Sequence, residues 1–182
     1  IDADIIEGDA FHRYERHEMD ELIKKNRHKS DIDFSHFSPD ANLLSDLAKT
    51  FHQFGKNGKY KTRRYVHTEE QAIIFKQKTG SMTPWEDASS ELLFYEGLHG
   101  GYVGPGADVA KHVDLLVGVV PIINLEWIQK LHRDNRVRGY SKEAVIDTIL
   151  NRMPDYINYI APQFSRTHIN FQRVPMVDTS NP

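Results

Sequence analysis

Short apolar runs alternate with longer stretches in which apolar residues recur every three or four positions, and that alternation confines the chain to an α/β fold. A strand ends near Ile6, a turn follows at Gly8-Asp9, and a charged helix carries Met19, Leu22 and Ile23. Leu43, Leu44, Leu47, Phe51 and Phe54 fall on one helical face, with Gly55 as the expected stop. After the β-prone Tyr65-Val66-His67 the chain is expected to be loop-rich through Gly80 and Pro84. Glu91 to Gly97 is a buried-strand candidate, and Asp114 to Asn124 is a second, interrupted by Pro121. Asn124 suits the N-cap of a helix over Leu125 to Arg133, with Ile128 and Leu131 opposite Lys130 and Arg133. Ser141 opens the clearest helix, marked by Val145, Ile149, Met153, Tyr156 and Ile160 and expected to kink at Pro154. Ile169, Phe171 and Val174 predict a last strand.

Composition narrows the function. The 182 residues are 39% hydrophobic, enough for one domain with a sizeable core and too little for a membrane bundle. The longest apolar stretch, Leu115 to Ile123, is about half of the roughly 20 residues that span a bilayer. With no Cys, a disulfide framework, Cys-ligated zinc and thiol catalysis are excluded from this stretch, and a reducing, cytoplasmic setting is compatible. A net charge of −3 argues against a general nucleic-acid coat. The chain begins at Ile1 without a signal-peptide pattern and ends in the turn-like Asp178-Thr179-Ser180-Asn181-Pro182, so it is expected to be the interior of a longer protein.

Four segments can carry chemistry. In Glu7-Gly8-Asp9-Ala10-Phe11-His12-Arg13, with Arg16 beyond, a strand delivers an acid, a histidine and arginines to the crevice where open α/β sheets bind ligands; Asp9 as a simple turn or cap residue is the plain alternative. In Leu92-Leu93-Phe94-Tyr95-Glu96-Gly97-Leu98-His99-Gly100, an acid at a strand tip suits Mg²⁺ beside phosphates, and a solvated strand end is the alternative. Lys130-Leu131-His132-Arg133-Asp134-Asn135-Arg136-Val137-Arg138 holds four positive charges and one negative in an acidic chain. It suits phosphate, or else a solvated helix end with an Asp134/Arg138 surface pair. The basic and aromatic stretch Lys56 to His67 is expected to be a solvated loop first and a phosphate contact second.

Two motif tests fail. His17-Glu18 lacks the second histidine of H-E-x-x-H, and Gly100, Gly101, Gly104 and Gly106 lead into Ala107-Asp108 instead of the Lys-Ser/Thr of a phosphate loop.

Taken in order, E-G-D-A-F-H-R at 7 to 13, F-Y-E-G-L-H-G at 94 to 100, G-V-V-P-I-I-N-L-E-W-I-Q-K-L-H-R-D at 118 to 134 and P-Q-F-S-R-T-H-I-N-F-Q-R-V-P at 162 to 175 resemble the bacterial phosphoribulokinases, over essentially the whole chain. The resemblance implies a single P-loop-kinase-like domain across 1 to 182, a mixed sheet flanked by helices, related to nucleoside and nucleotide kinases and truncated at both ends. It implies transfer of the γ-phosphoryl of MgATP to the C1 hydroxyl of ribulose 5-phosphate. Carried over by position, Asp9 is the catalytic base, Glu96 the Mg²⁺ carboxylate, Asp134 the second essential acid and Lys130 a lysine that supports transfer. His12, Arg16 and Arg138 hold the sugar phosphate, with His67 and Arg133 as further members of the site.

Family members are homo-oligomers activated by NADH and inhibited by AMP. Asn151 stands before Arg152 where some relatives have two arginines, and the absent cysteines set this chain apart from the thiol-switched type. The family's ATP loop precedes the first strand seen here, so residues 1 to 182 alone are expected to bind ATP poorly. A uridine-kinase-like nucleoside kinase and a non-catalytic module of the same fold are the competing readings.

Overall fold

The structure is a computed structural model that describes residues 1–26, 34–120, 122–136, 139–176 and 178. Strand β1 (Ala3–Glu7) runs into a 3-10 turn, Gly8–Phe11, and then helix α1 (Arg16–Asn26). A second 3-10 turn, Pro39–Ala41, leads to α2 (Leu44–Asn57), β2 (Lys59–Thr62), α3 (Glu69–Phe75), β3 (Glu86–Ser89) and β4 (Leu92–Glu96). The hairpin β5 (Val103–Gly104) and β6 (Ala107–Asp108) precedes β7 (Val117–Val120). Helices α4 (Ile123–Arg136) and α5 (Lys142–Asp155) follow, then a π-helical turn, Tyr156–Ile160, a 3-10 turn, Ala161–Arg166, and β8 (Ile169–Gln172).

Parallel and antiparallel pairs coexist, as a mixed α/β fold requires. β1 pairs with β4 and β7 with β8 in parallel, while β2 pairs with β3 and β5 with β6 antiparallel. A parallel pair needs a long crossover, and β1 reaches β4 only after α1, α2 and α3. The register sets Ile6 beside Tyr95 and Glu7 beside Glu96, so both strands end on an acid at the same level.

Beneath this pair lies the core. Ile6, Phe11, Leu47, Tyr60 and Val109 are buried together with Leu44 and Phe51 of α2, which supplies the apolar face its spacing predicts. Tyr60 ties β2 to β1 by donating its hydroxyl hydrogen to Asp4 Oδ2. β4 departs from the expected buried strand: Leu93 and Tyr95 turn toward the core, whereas Leu92 and Phe94 are exposed. A strand alternates faces, and here only one face is covered.

Several element boundaries also moved. α2 runs through Gly55 and stops at Gly58, whose φ of 70° is left-handed and whose N–H bonds the Phe54 carbonyl. The segment expected to be loop-rich contains α3, capped by Thr68, whose hydroxyl accepts from the Gln71 N–H at 3.2 Å. α4 starts at Ile123, so Asn124 lies inside it rather than capping it. Ser141 does cap α5, accepting from the Ala144 N–H at 3.2 Å. At Pro154, which has no N–H to donate, α5 does not break; it runs one residue further and widens into the π turn. The last strand ends at Gln172, short of Val174.

Candidate active site

Glu7 and Glu96 end adjacent parallel strands, and the chain leaves both through glycine. A Cβ on Gly8 would lie 2.8 Å from the Gly97 Cα, and one on Gly97 would lie 2.5 Å from the Tyr95 hydroxyl oxygen, so the two loops touch back to back. The first loop delivers Asp9 to a cavity of about 480 Å³, whose wall also includes Glu7, His67, Glu96 and the β7 residues Val117 to Val119. Ligands of α/β proteins bind at this end of the strands.

Asp9 is gripped on both oxygens. Its Oδ1 is 3.0 Å from His12 Nε2 and its Oδ2 is 3.4 Å from His67 Nε2, and its side chain stays 43% exposed. The hydrogen bond from His12 holds the Asp9 carboxyl below the usual carboxylate range, against burial, which pushes it up, and with help from the charges of His12, His67 and His36. Behind this pair, His12 Nδ1 lies 3.0 Å from Asn42 Oδ1. The His36 ring centre is 4.9 Å from that of His12. Burial drives His36 down to about 3, with His12, Arg152 and Arg16 adding to that effect and Asp9 opposing it.

Three further side chains frame the group. The Tyr65 ring stands edge-on to His12 at 5.9 Å and 4.8 Å from His67, and the Arg16 guanidinium lies 5.9 Å from its centre. Arg63 donates from Nε to the Ala10 carbonyl and from Nη2 to the His12 carbonyl, both at 2.7 Å. Within the stretch Lys56 to His67, expected to be a solvated loop, Lys56 and Asn57 end α2 and Lys59–Thr62 form β2, and Arg63 beyond them is a clamp on the turn that carries Asp9.

A second group gathers on α4. Asp134 is 4% exposed and accepts from Lys130 Nζ and, at 3.0 Å, from Arg133 Nε. Burial pushes Asp134 up, but these two donors outweigh it and leave the carboxyl below its ordinary value; burial pushes the Lys130 ammonium down, with Asp134 opposing. Asp134 is thus no surface acid, and Arg138, its expected surface partner and a candidate phosphate ligand, lies outside the described residues.

Segment 34–38 joins the two groups. Lys130 and Phe37 line a smaller cavity of about 90 Å³ with Glu126 and Arg152, and the Arg152 guanidinium lies 5.6 Å from the Phe37 ring centre. His36, next in the chain to Phe37, faces His12. The segment is tied to α5 by Ser35, which donates to the buried Asp155 carboxylate at 2.6 Å. Asp9, His67 and Glu96 therefore share one cavity with His12 behind them, while Lys130, Arg133 and Asp134 form their own cluster. Sequence reasoning missed Asn42 and His36, and singled out Arg63 only as part of the basic stretch Lys56 to His67. Ser38-Pro39 signals a turn, but nothing in a turn motif says which side chain it will aim at a histidine 30 residues upstream.

Among the described residues no three His, Asp or Glu side chains converge into a metal cage. An acid-tipped parallel strand pair and an aspartate held by two histidines meet at one strand-end cavity of a mixed α/β fold, with a cluster of basic side chains on α4. Residues 1–180 match the family described as "PRK: Phosphoribulokinase / Uridine kinase family", and the chain belongs to it.

The chain is 57% identical over 180 residues to "Phosphoribulokinase, plasmid" of Cupriavidus necator, covering 98% of this chain and 62% of the relative. It is 58% identical over 179 residues to "Probable phosphoribulokinase" of Escherichia coli, covering 97% and 62%. Among solved structures, the phosphoribulokinase from Rhodobacter spheroides superposes with a TM-score of 0.87 at 50% identity, covering all of this chain and 63% of that one. A D-glycerate 3-kinase from Cryptococcus neoformans, at 11% identity and a TM-score of 0.51, shares the fold alone. The chain thus spans 62% of the length of each of these two curated relatives.

Proposed function

We propose that the protein is a phosphoribulokinase, transferring the γ-phosphoryl group of ATP to the C1 hydroxyl of ribulose 5-phosphate to give ribulose 1,5-bisphosphate and ADP. The observation that carries this reading is the cavity shared by Asp9, His67 and Glu96, with His12 bonded to Asp9, in a chain 57% identical to a phosphoribulokinase.

Phosphoryl transfer passes through a loose, heavily charged transition state, so the protein's work is positioning and charge stabilisation. Asp9 orients the acceptor hydroxyl and takes its proton late, for which a carboxylate that stays ionised at neutral pH suffices. His12 and His67 at Asp9, and Arg16 beside Tyr65, hold the sugar phosphate, a role that Arg133 and Arg138 complete. Lys130, poised by Asp134, offsets charge on the transferring group. Glu96, an exposed hard-oxygen donor on the cavity wall, suits Mg²⁺, which takes one or two protein carboxylates beside substrate phosphates and waters. Bound there, Mg²⁺ would neutralise phosphate charge. The reading extends to a cytoplasmic homo-oligomer, and NADH and AMP enter it as effectors by family likeness.

The test is ADP release by the full-length protein with ribulose 5-phosphate and with uridine. Turnover of ribulose 5-phosphate is expected, with Asp9→Asn lowering kcat by roughly 10²-fold or more while the circular dichroism spectrum is retained. Phosphorylation of uridine alone overturns the reading, and an Asp9→Asn rate within about twofold of wild type removes Asp9 from the base role.

A further inference from the structure

Asn42 is 3% exposed, and both protons of its amide nitrogen are spent: Nδ2 donates to the His36 carbonyl at 3.0 Å and to the Ser38 carbonyl at 2.8 Å. Flipping the amide would set its oxygen against two carbonyl oxygens, so the network itself assigns Oδ1 to the side of His12. An acceptor at 3.0 Å requires that His12 Nδ1 carry a hydrogen.

The other ring nitrogen is then also committed. Nε2 lies 3.0 Å from Asp9 Oδ1, a distance at which two bare acceptors repel, so one proton sits between them and belongs to the pair. The backbone enforces this facing. His12 and Asn42 form an antiparallel bridge, flanked by bonds from the Arg13 N–H to the Ala41 carbonyl at 2.8 Å and from the Leu43 N–H to the Phe11 carbonyl at 2.7 Å. Among the described residues, the polar groups around His12 include Asp9 on its own turn, Asn42 and His36 on the 34–42 segment, Tyr65 beyond β2, His99 and the Arg63 guanidinium on its carbonyl.

We propose that Asn42 is a positioning residue that divides the work between Asp9 and His12: it holds the ring by Nδ1–H, turns Nε2 on to Asp9 Oδ1, and leaves Asp9 Oδ2, which His67 Nε2 approaches at the longer 3.4 Å, as the atom that meets the acceptor hydroxyl. His12 then has no lone pair to offer a hydroxyl and acts as a donor and anchor. In the transfer, the hydroxyl proton goes to Asp9 Oδ2, the oxygen's electron pair forms the bond to the γ-phosphorus of ATP, and the bond from that phosphorus to the β-phosphate oxygen breaks with its pair leaving on ADP. This catalytic consequence rests on the proposed kinase reaction; the assignment of the ring does not.

The test is ¹⁵N-edited NMR of the histidine rings in the full-length protein, with His12 assigned by the signals lost in His12→Gln. Nδ1–H is expected in the wild type at pH 7. Asn42→Ala, free of that acceptor, is expected to shift the neutral ring to the Nε2–H form that Asp9 alone would favour. In turnover, Asn42→Ala is expected to lower kcat roughly tenfold, the worth of one charge-assisted hydrogen bond, with KM for ATP within about twofold. A wild-type His12 that is Nε2–H with a bare Nδ1 overturns the proposal whatever the activity, and that spectrum decides even if Asn42→Ala fails to fold. A wild type that ignores ribulose 5-phosphate yet shows Nδ1–H supports the proposal and sinks only the substrate.

Discussion

Two histidines meet Asp9 and a third stands behind them, and their surroundings give them different work. His12 and His67 face the carboxylate oxygens, whereas His36 stands one ring behind and is driven by burial to about 3. In the unfolded chain that ring takes its proton near the ordinary 6.5, so the unfolded state binds more protons than the native state between pH 6.5 and 3. The native state therefore loses stability as pH falls through that window, and His36 contributes nothing to pH dependence above it. At pH 5 the loss is about 2 kcal/mol, from roughly 1.5 units of pH at about 1.4 kcal/mol each. Urea unfolding of wild type and His36→Gln at pH 7.5 and 5.0 checks this: the variant should lose less stability between the two. Identical pH dependence would mean that His36 is solvated in the native state.

At the element scale, the two glycines near the end of α2 make opposite predictions. Gly55 lies inside the helix, and a Cβ there meets no heavy atom within 4 Å, so Gly55→Ala should stabilise by about 0.5–1 kcal/mol through a stiffer unfolded chain and better helix propensity. Gly58 is the left-handed cap at φ 70°, and its added Cβ would sit 3.0 Å from the Ser90 carbonyl oxygen, so Gly58→Ala should cost about 1–2 kcal/mol. Thermal unfolding of the two variants should move in opposite directions. The apolar spacing of Leu44, Leu47 and Phe51 was legible because a buried helical face leaves a period in the sequence. The choice between the two glycines was not, since it depends on where β2 must begin to pair with β3. α3 was missed for a related reason. Its Ile73 and Ile74 are exposed, so seven residues held by a cap and a first acidic turn leave no apolar period.

At the scale of the whole molecule, one face of each parallel pair stays bare. Phe94 is 53% exposed on β4, and Val119 and Phe171 are 62% and 60% exposed on β7 and β8. Such a surface should bind an apolar fluorescent dye when the 182-residue chain is studied alone, and Phe94→Ser with Phe171→Ser should lower the signal while circular dichroism is unchanged. Dye fluorescence equal to that of wild type would place the binding elsewhere. The sequence by itself determined the α/β class, the strand that ends on Glu96 and the strings that mark the family, because periodicity, strand-tip acids and contiguous motifs are local properties of the chain. It also marked Asp9, His12, Glu96 and Asp134 as residues to watch. Only the tertiary structure decided that Asp134 is buried between Lys130 and Arg133, that Arg63 clamps the Asp9 turn and that Asn42 grips His12. Burial and hydrogen-bond partnership are set by residues far away in sequence, here 53 positions for Arg63 and Ala10 and 30 for His12 and Asn42, and no local pattern encodes them.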